Sequence, residues 1–132
     1  MKELPIGLKG QAETTVNEQN TAAAMGSGLL PVFATPAMLA LMEQAAASSV
    51  QPFLDEGEGT VGTRLEVSHL AATPLGLAVR AESELVAVDR RKLSFTVRAW
   101  AGEELIGEGT HQRFIIDNAR FLAKAQAKAG QG

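Results

Sequence analysis

Three side chains in this 132-residue chain could together do chemistry: the alcohol Thr35, the carboxylate Glu43 and the imidazole His69. Each stands where its surroundings call for an apolar residue. Glu43 is the sole charge in the run FATPAMLALMEQAAASSV, residues 33–50. An unpaired buried carboxylate is costly, so it must be protonated, paired or at a cleft. Eight residues separate it from Thr35, roughly 12 Å along a helix axis and within about 80° of rotation. His69 follows on the apolar side of a strand. A carboxylate beside an imidazole can serve as nucleophile or general base. Simpler roles compete: Thr35 as a helix cap, His69 as a satisfied core or interface histidine, Glu43 in an ion pair with Arg64 or Arg80. Gly62 starts the strand that carries His69. Its N–H could polarise a carbonyl oxygen, or it could be only a strand-entry glycine. His111 shares a face with Gly107, Gly109 and Arg113, away from Ile106, Phe114 and Ile116. That pattern assigns it to the surface or an interface.

The elements that must position these groups follow from pattern. Lys9 to Asn17 is threonine-rich and fits a first strand. Ala22–Ala24 fits a strand end or a helical turn before a loop marked by Gly26 and Gly28. Thr35-Pro36 suits a helix start, with Thr35 as N-cap and proline in the first turn. Good helix formers continue toward Val50, where Gln51-Pro52 stops them. The helix is apolar on nearly every side, which predicts burial all round. Strands are expected over 60–70, 77–88, 93–101 and 105–116. Thr63, Leu65, Val67 and His69 share one face of the first of these. Hairpin-length links predict that the four are antiparallel neighbours in a meander. Residues 118–129 read as a polar helix. One all-apolar helix needs a sheet that curls around it, so the pattern is α+β with one core and a single domain over 1–132.

Composition narrows the function. Net charge is −3 and no basic run appears, which argues against an electrostatic nucleic-acid groove. With no cysteine there is no disulfide or thiolate nucleophile, and two isolated histidines do not suggest zinc, so no metal is expected. Phosphate-cradling glycine loops and the G-x-S-x-G elbow are missing. No apolar run suits a bilayer and no leader is evident, so the cytoplasm is the expected location.

The segments P-V-F-A-T-P-A-M-L-A-L-M-E, G-T-V-G-T-R-L-E-V-S-H-L-A-A-T-P-L-G, R-R-K-L-S-F-T-V-R-A and I-G-E-G-T-H-Q-R-F resemble hotdog-fold thioesterases of the fluoroacetyl-CoA thioesterase type. The resemblance spans roughly residues 10–125. It implies a long helix wrapped by a curved antiparallel sheet. It also implies a homodimer, with a dimer of dimers as a further assembly open to it, and acyl-CoA sites at the subunit interface. The family's functional threonine, glutamate, histidine and glycine fall on Thr35, Glu43, His69 and Gly62. The implied reaction is thioester hydrolysis to a carboxylic acid and free CoA, with CoA entering as part of the substrate rather than as a cofactor. Glu43 would be nucleophile or base, and His69 the general base and acid. Thr35 would position the carboxylate or the carbonyl, and the Gly62 N–H would hold the carbonyl oxygen. Phe33 joins Gly62 as a substrate-binding residue. One stretch departs from the family. Its lid phenylalanines have no counterpart in Ala24–Leu30, where no aromatic precedes Phe33, so a different acyl group is expected. A non-catalytic acyl-CoA-binding module and a hotdog hydratase are the competing readings.

Overall fold

The computed structural model of the protein describes residues 2–131. Strand β1 (Lys9–Thr15) is followed by a one-turn helix α1 (Ala22–Met25) and the long helix α2 (Thr35–Val50). A 3₁₀ turn (Gln51–Phe53) leads to β2 (Glu58–His69), β3 (Ala78–Asp89), β4 (Lys92–Ala101), β5 (Glu104–Asp117) and α3 (Asn118–Ala127). The five strands form one antiparallel sheet in the order β1-β3-β4-β5-β2.

That order corrects the expected four-strand meander. Only β3, β4 and β5 are successive hairpin neighbours, and β2 lies beyond β5 at the sheet edge. The link over 70–77 is too long for a tight hairpin. It crosses the start of α2 instead, where the Phe33 N–H donates to the Thr73 carbonyl at 2.8 Å and Val32 bridges Pro74.

Helix α2 forms for the expected reasons: strong helix formers, Pro36 in the first turn, and Pro52 just beyond its end. Its cap differs. Ala34 occupies the N-cap without a side-chain bond, and Thr35 is the first helical residue. The helix buries Met38, Leu41, Met42, Ala45, Ala46 and Val50 against β1, β3 and β4. Each fully buried methionine, leucine or valine contributes about 2 kcal/mol by transfer from water. Small residues bring the layers close: a Cβ at Gly10 would collide with the Ala45 carbonyl oxygen. Burial all round is not observed. Pro36, Ala40, Gln44 and Ser48 are exposed, and Leu39, Glu43 and Ala47 are half-buried, so one side of the helix, of mixed polarity, stays open.

From Gly107 onward strand β5 also faces opposite to expectation, although Ile106 is buried in the core. Gly107, His111, Arg113 and Ile115 are buried, while Phe114 is 42% exposed on the outer side. Two glycines disguise this inner face. A Cβ at Gly107 would meet the Met38 thioether, so the glycine makes room for α2. In β2 a bulge between Gly62 and Arg64 shifts the register against β5. Thr60 and Gly62 therefore face α2 on one side of the bulge, and Leu65, Val67 and His69 on the other. Thr63 leaves the His69 face that alternation gave it and donates its hydroxyl to the Gln112 carbonyl at 3.2 Å.

Candidate active site

The structure brings the candidate residues together in two pairs. In the first, Thr35 Oγ1 and His69 Nδ1 share a 2.7 Å hydrogen bond. Thr35 can reach His69 because its hydroxyl is released from capping and projects from the first turn of α2 toward the end of β2. Nε2 of His69 has no hydrogen-bond partner among the described residues. Burial pushes the His69 pKa below its ordinary 6.5, opposed in part by the Ala71 backbone. The ring is therefore neutral near pH 7 and able to accept a proton. Both side chains line a cleft of about 360 Å³ with Phe33, Val32, Leu70 and Ala72. Phe33 itself is buried, 1% exposed, and forms a wall of that cleft.

The second pair is Glu43 and Gly62. A Cβ on Gly62 would collide with Glu43 Oε2 and lie 3.3 Å from both His111 Cε1 and Arg113 Nη1. Gly62 thus has a steric task beyond strand entry: its missing side chain leaves the space the carboxylate fills. Glu43 is held by Arg113, whose Nη1 donates to Oε2 at 3.0 Å. Neither expected partner takes part, since Arg64 pairs with Glu66 at 3.0 Å and Arg80 with Glu82 at 3.9 Å.

Arg113 is the residue the pattern missed. It is 7% exposed, and every part of its guanidinium is engaged. Nε donates to Thr60 Oγ1 at 2.8 Å, Nη2 to the Thr60 carbonyl at 3.0 Å, and Nη1 also to His111 Nε2 at 3.2 Å. His111, expected at the surface, is 1% exposed. Its Nδ1–H donates to the Arg64 carbonyl at 2.8 Å, so Nε2 is the unprotonated nitrogen that accepts from Arg113. Burial lowers its pKa, the Arg64 carbonyl opposes that, the Arg113 charge adds to it and Glu43 opposes it. His111 is therefore a neutral spacer that stacks near Phe95, centroids 6.0 Å apart, and steadies the arginine. The H-x-R spacing on one strand face, shared with two glycines, was the available signal for this buried pair.

The two pairs do not meet within one chain. His69 pairs with Gly107 at one end of the β2–β5 ladder, and Gly62 pairs with Arg113 further along it, near its middle. Seven residues of strand place them roughly 20 Å apart.

The model of a family described as fluoroacetyl-CoA-specific thioesterase matches residues 16–119. The chain belongs to this thioesterase family. Membership agrees with the resemblance read from the motifs. A fluoroacetyl-CoA thioesterase from Streptantibioticus cattleyicolor is 46% identical over 101 residues, covering 76% of this chain and 73% of the relative. The solved structure of the fluoroacetyl-CoA thioesterase FlK superposes with a TM-score of 0.91 at 36% identity, covering 96% of this chain and 98% of that one. A thioesterase superfamily member from Thermus thermophilus superposes with the same TM-score at 29% identity, covering 99% and 97%. The fold is the hotdog, an α+β architecture with a central helix in a curled five-stranded sheet. No helix among the described residues is long and apolar enough to cross a membrane.

Proposed function

We propose that the protein hydrolyses an acyl-CoA thioester, with each site assembled from two protomers. Water adds to the acyl carbon, the C–S bond breaks, and a proton passes to the departing sulfur. Products are a carboxylic acid and free CoA. The supporting observation is the division of the polar groups: Thr35 with His69 at the end of β2, Glu43 with Gly62 seven residues earlier, near the strand's middle. Strand β2 lies at the sheet edge with no partner strand on its outer side among the described residues, next to the open face of α2. Such an edge invites pairing with another strand. Two copies pairing their β2 strands antiparallel about a two-fold axis, with Gly62 of one opposite His69 of the other, would bring the two pairs of polar groups together. Glu43 then acts as nucleophile or base toward a carbonyl held by the Gly62 N–H. His69, oriented by Thr35, moves the proton to the leaving thiolate. Solved FlK structures carry acetyl-CoA, and fluoroacetate with CoA. The stretch Ala24–Leu30, without an aromatic residue, supports a different acyl preference here. A cytoplasmic homodimer without a resident cofactor is the corresponding setting.

A panel of acyl-CoAs with a thiol-detecting assay tests this reading. Wild type should release CoA, and Glu43→Gln and His69→Ala should each lose about 10²-fold or more in kcat while staying folded. Full turnover by Glu43→Gln would remove its assigned role. Tight acyl-CoA binding without thiol release would indicate a binding module, and water addition to an enoyl-CoA without thiol release a hydratase.

A further inference from the structure

Glu43 is held by one oxygen only. Oε2 accepts from Arg113 Nη1 at 3.0 Å, and Oε1 has no protein partner among the described residues. The side chain is 38% exposed, so Oε1 is the oxygen that substrate or water can reach. Its direction follows from the direction of Arg113 Nη1. A guanidinium is planar, and its Nε–H and Nη2–H leave along one edge as a fork. Both prongs end on a single residue. Nε donates to the Thr60 hydroxyl at 2.8 Å, and Nη2 donates to the Thr60 carbonyl at 3.0 Å. Two fixed points on one edge set the orientation of the whole plane, and the third nitrogen, Nη1, is then aimed at Glu43 and His111.

Thr60 suits this duty for reasons of backbone and side chain. It is paired with Ile115 in the β2–β5 ladder, so its carbonyl does not wander. Branching at Cβ restricts its χ1, so the hydroxyl has few alternative places. The bulge between Gly62 and Arg64 puts Thr60 on the α2 side of β2, two residues from the glycine whose missing Cβ leaves room for Oε2. Satisfying a buried cation alone would need less, because the Thr60 carbonyl, His111 and Glu43 already engage Arg113. The hydroxyl adds the second point, and with it a direction. We propose that Thr60 is a positioning residue of the hydrolase: through Arg113 it aims Glu43 so that Oε2 stays with the guanidinium and Oε1 carries the reaction. As base, Oε1 takes a proton from the water whose oxygen bonds to the acyl carbon. As nucleophile, it forms that bond itself, and water later cleaves the anhydride to free the acid and restore the carboxylate. The inference rests on the thioester-hydrolase reading above.

Thr60→Val removes the hydroxyl and keeps the shape, whereas Thr60→Ser keeps the hydroxyl. With the acyl-CoA selected by the substrate panel, Thr60→Val should lose about tenfold in kcat with KM within about twofold of wild type, and Thr60→Ser should recover wild-type kcat. In a Glu43→Gln background the valine should cost under about twofold, since no carboxylate remains to be aimed. Thermal melting reads any loss of stability separately, and Thr60→Ala makes the same deletion if the valine variant does not fold. Wild-type kcat in Thr60→Val overturns the inference, as does an equal tenfold loss in the Glu43→Gln background. Crystal structures of wild type and Thr60→Val give a readout independent of turnover. Wild type should hold Glu43 in one conformer with Oε2 on Arg113, and the variant should show it displaced or split. An identical single conformer in both overturns the inference. If wild type releases thiol from no acyl-CoA, the hydrolase reading falls, and the crystallographic comparison alone decides whether Thr60 aims the carboxylate.

Discussion

Replacing Arg113 by methionine should both loosen the fold and misplace Glu43. The guanidinium makes four hydrogen bonds of 2.8–3.2 Å, to Glu43, His111 and twice to Thr60. Methionine fills similar volume but leaves the buried His111 Nε2 and the Thr60 carbonyl unpaired. Removing one partner of a fully buried ion pair costs about 3–5 kcal/mol. Glu43 is 38% exposed in its side chain, so water compensates part of its loss, and about 3 kcal/mol is the reasonable scale. For 132 residues the unfolding entropy is about 0.28 kcal/mol per degree, so melting should fall by about 10 °C. Thiol release at a permissive temperature should drop about 10²-fold, because an unheld carboxylate samples positions away from the carbonyl. Arg113→Lys separates the two effects: a lysine can reach Glu43 or Thr60 but not both, so it should recover more stability than activity. Circular dichroism melting and the thiol assay on the same preparations give both numbers. A methionine variant melting within about 2 °C of wild type would refute the reasoning, since it would mean the network contributes nothing net.

Two further outcomes follow from the same geometry. Gly62→Ala places a methyl group against Glu43 Oε2, so the carboxylate must swing off Arg113; kcat should fall with little change in KM, and Glu43→Gln in that background should cost much less than in wild type. His69 and His111 both have pKa values below 6.5 in the fold, so below that pH the unfolded chain binds protons first. Stability should hold flat above about pH 7 and decline as the pH drops below 6.5, while kcat/KM loses its acid limb at a pKa under 6.5 that disappears in His69→Ala; an acid limb above 6.5 would contradict the burial that lowers it.

The sequence carried the elements well and their arrangement less well. Helix α2 was legible because its apolar run is long and its ends are marked by Pro36 and Pro52. Strands β3 and β4 were legible because Val79, Ala81 and Leu85, then Leu93, Phe95 and Val97, alternate cleanly against exposed or half-exposed polar residues. Thr35, Glu43 and His69 stood out as polar groups in apolar settings. The link over 70–77 hid the strand order, since its length permits either a loose hairpin or a crossing. Only the pairing of β2 with β5 distinguishes them.

The inner face of β5 misled for a reason that bears on the site. Alternation recognises an inward face by its bulky apolar residues, and here that face carries Gly107, Gly109, His111 and Arg113. The glycine at 107 admits Met38, and the pair at 111 and 113 supports a carboxylate that comes from a different element. A packing surface made of absent side chains and paired polar ones looks like solvent. Glu43 was likewise legible as a misfit, but not its partner, because the nearest arginines by pattern were Arg64 and Arg80. The structural rule that resolves both is the register across β2 and β5. Gly62 stands opposite Arg113, and the glycine's missing side chain and the arginine's long one together make a socket for one carboxylate. A lone acid in an apolar helix is therefore better matched to a glycine–arginine pair facing each other across strands than to the arginine closest in sequence.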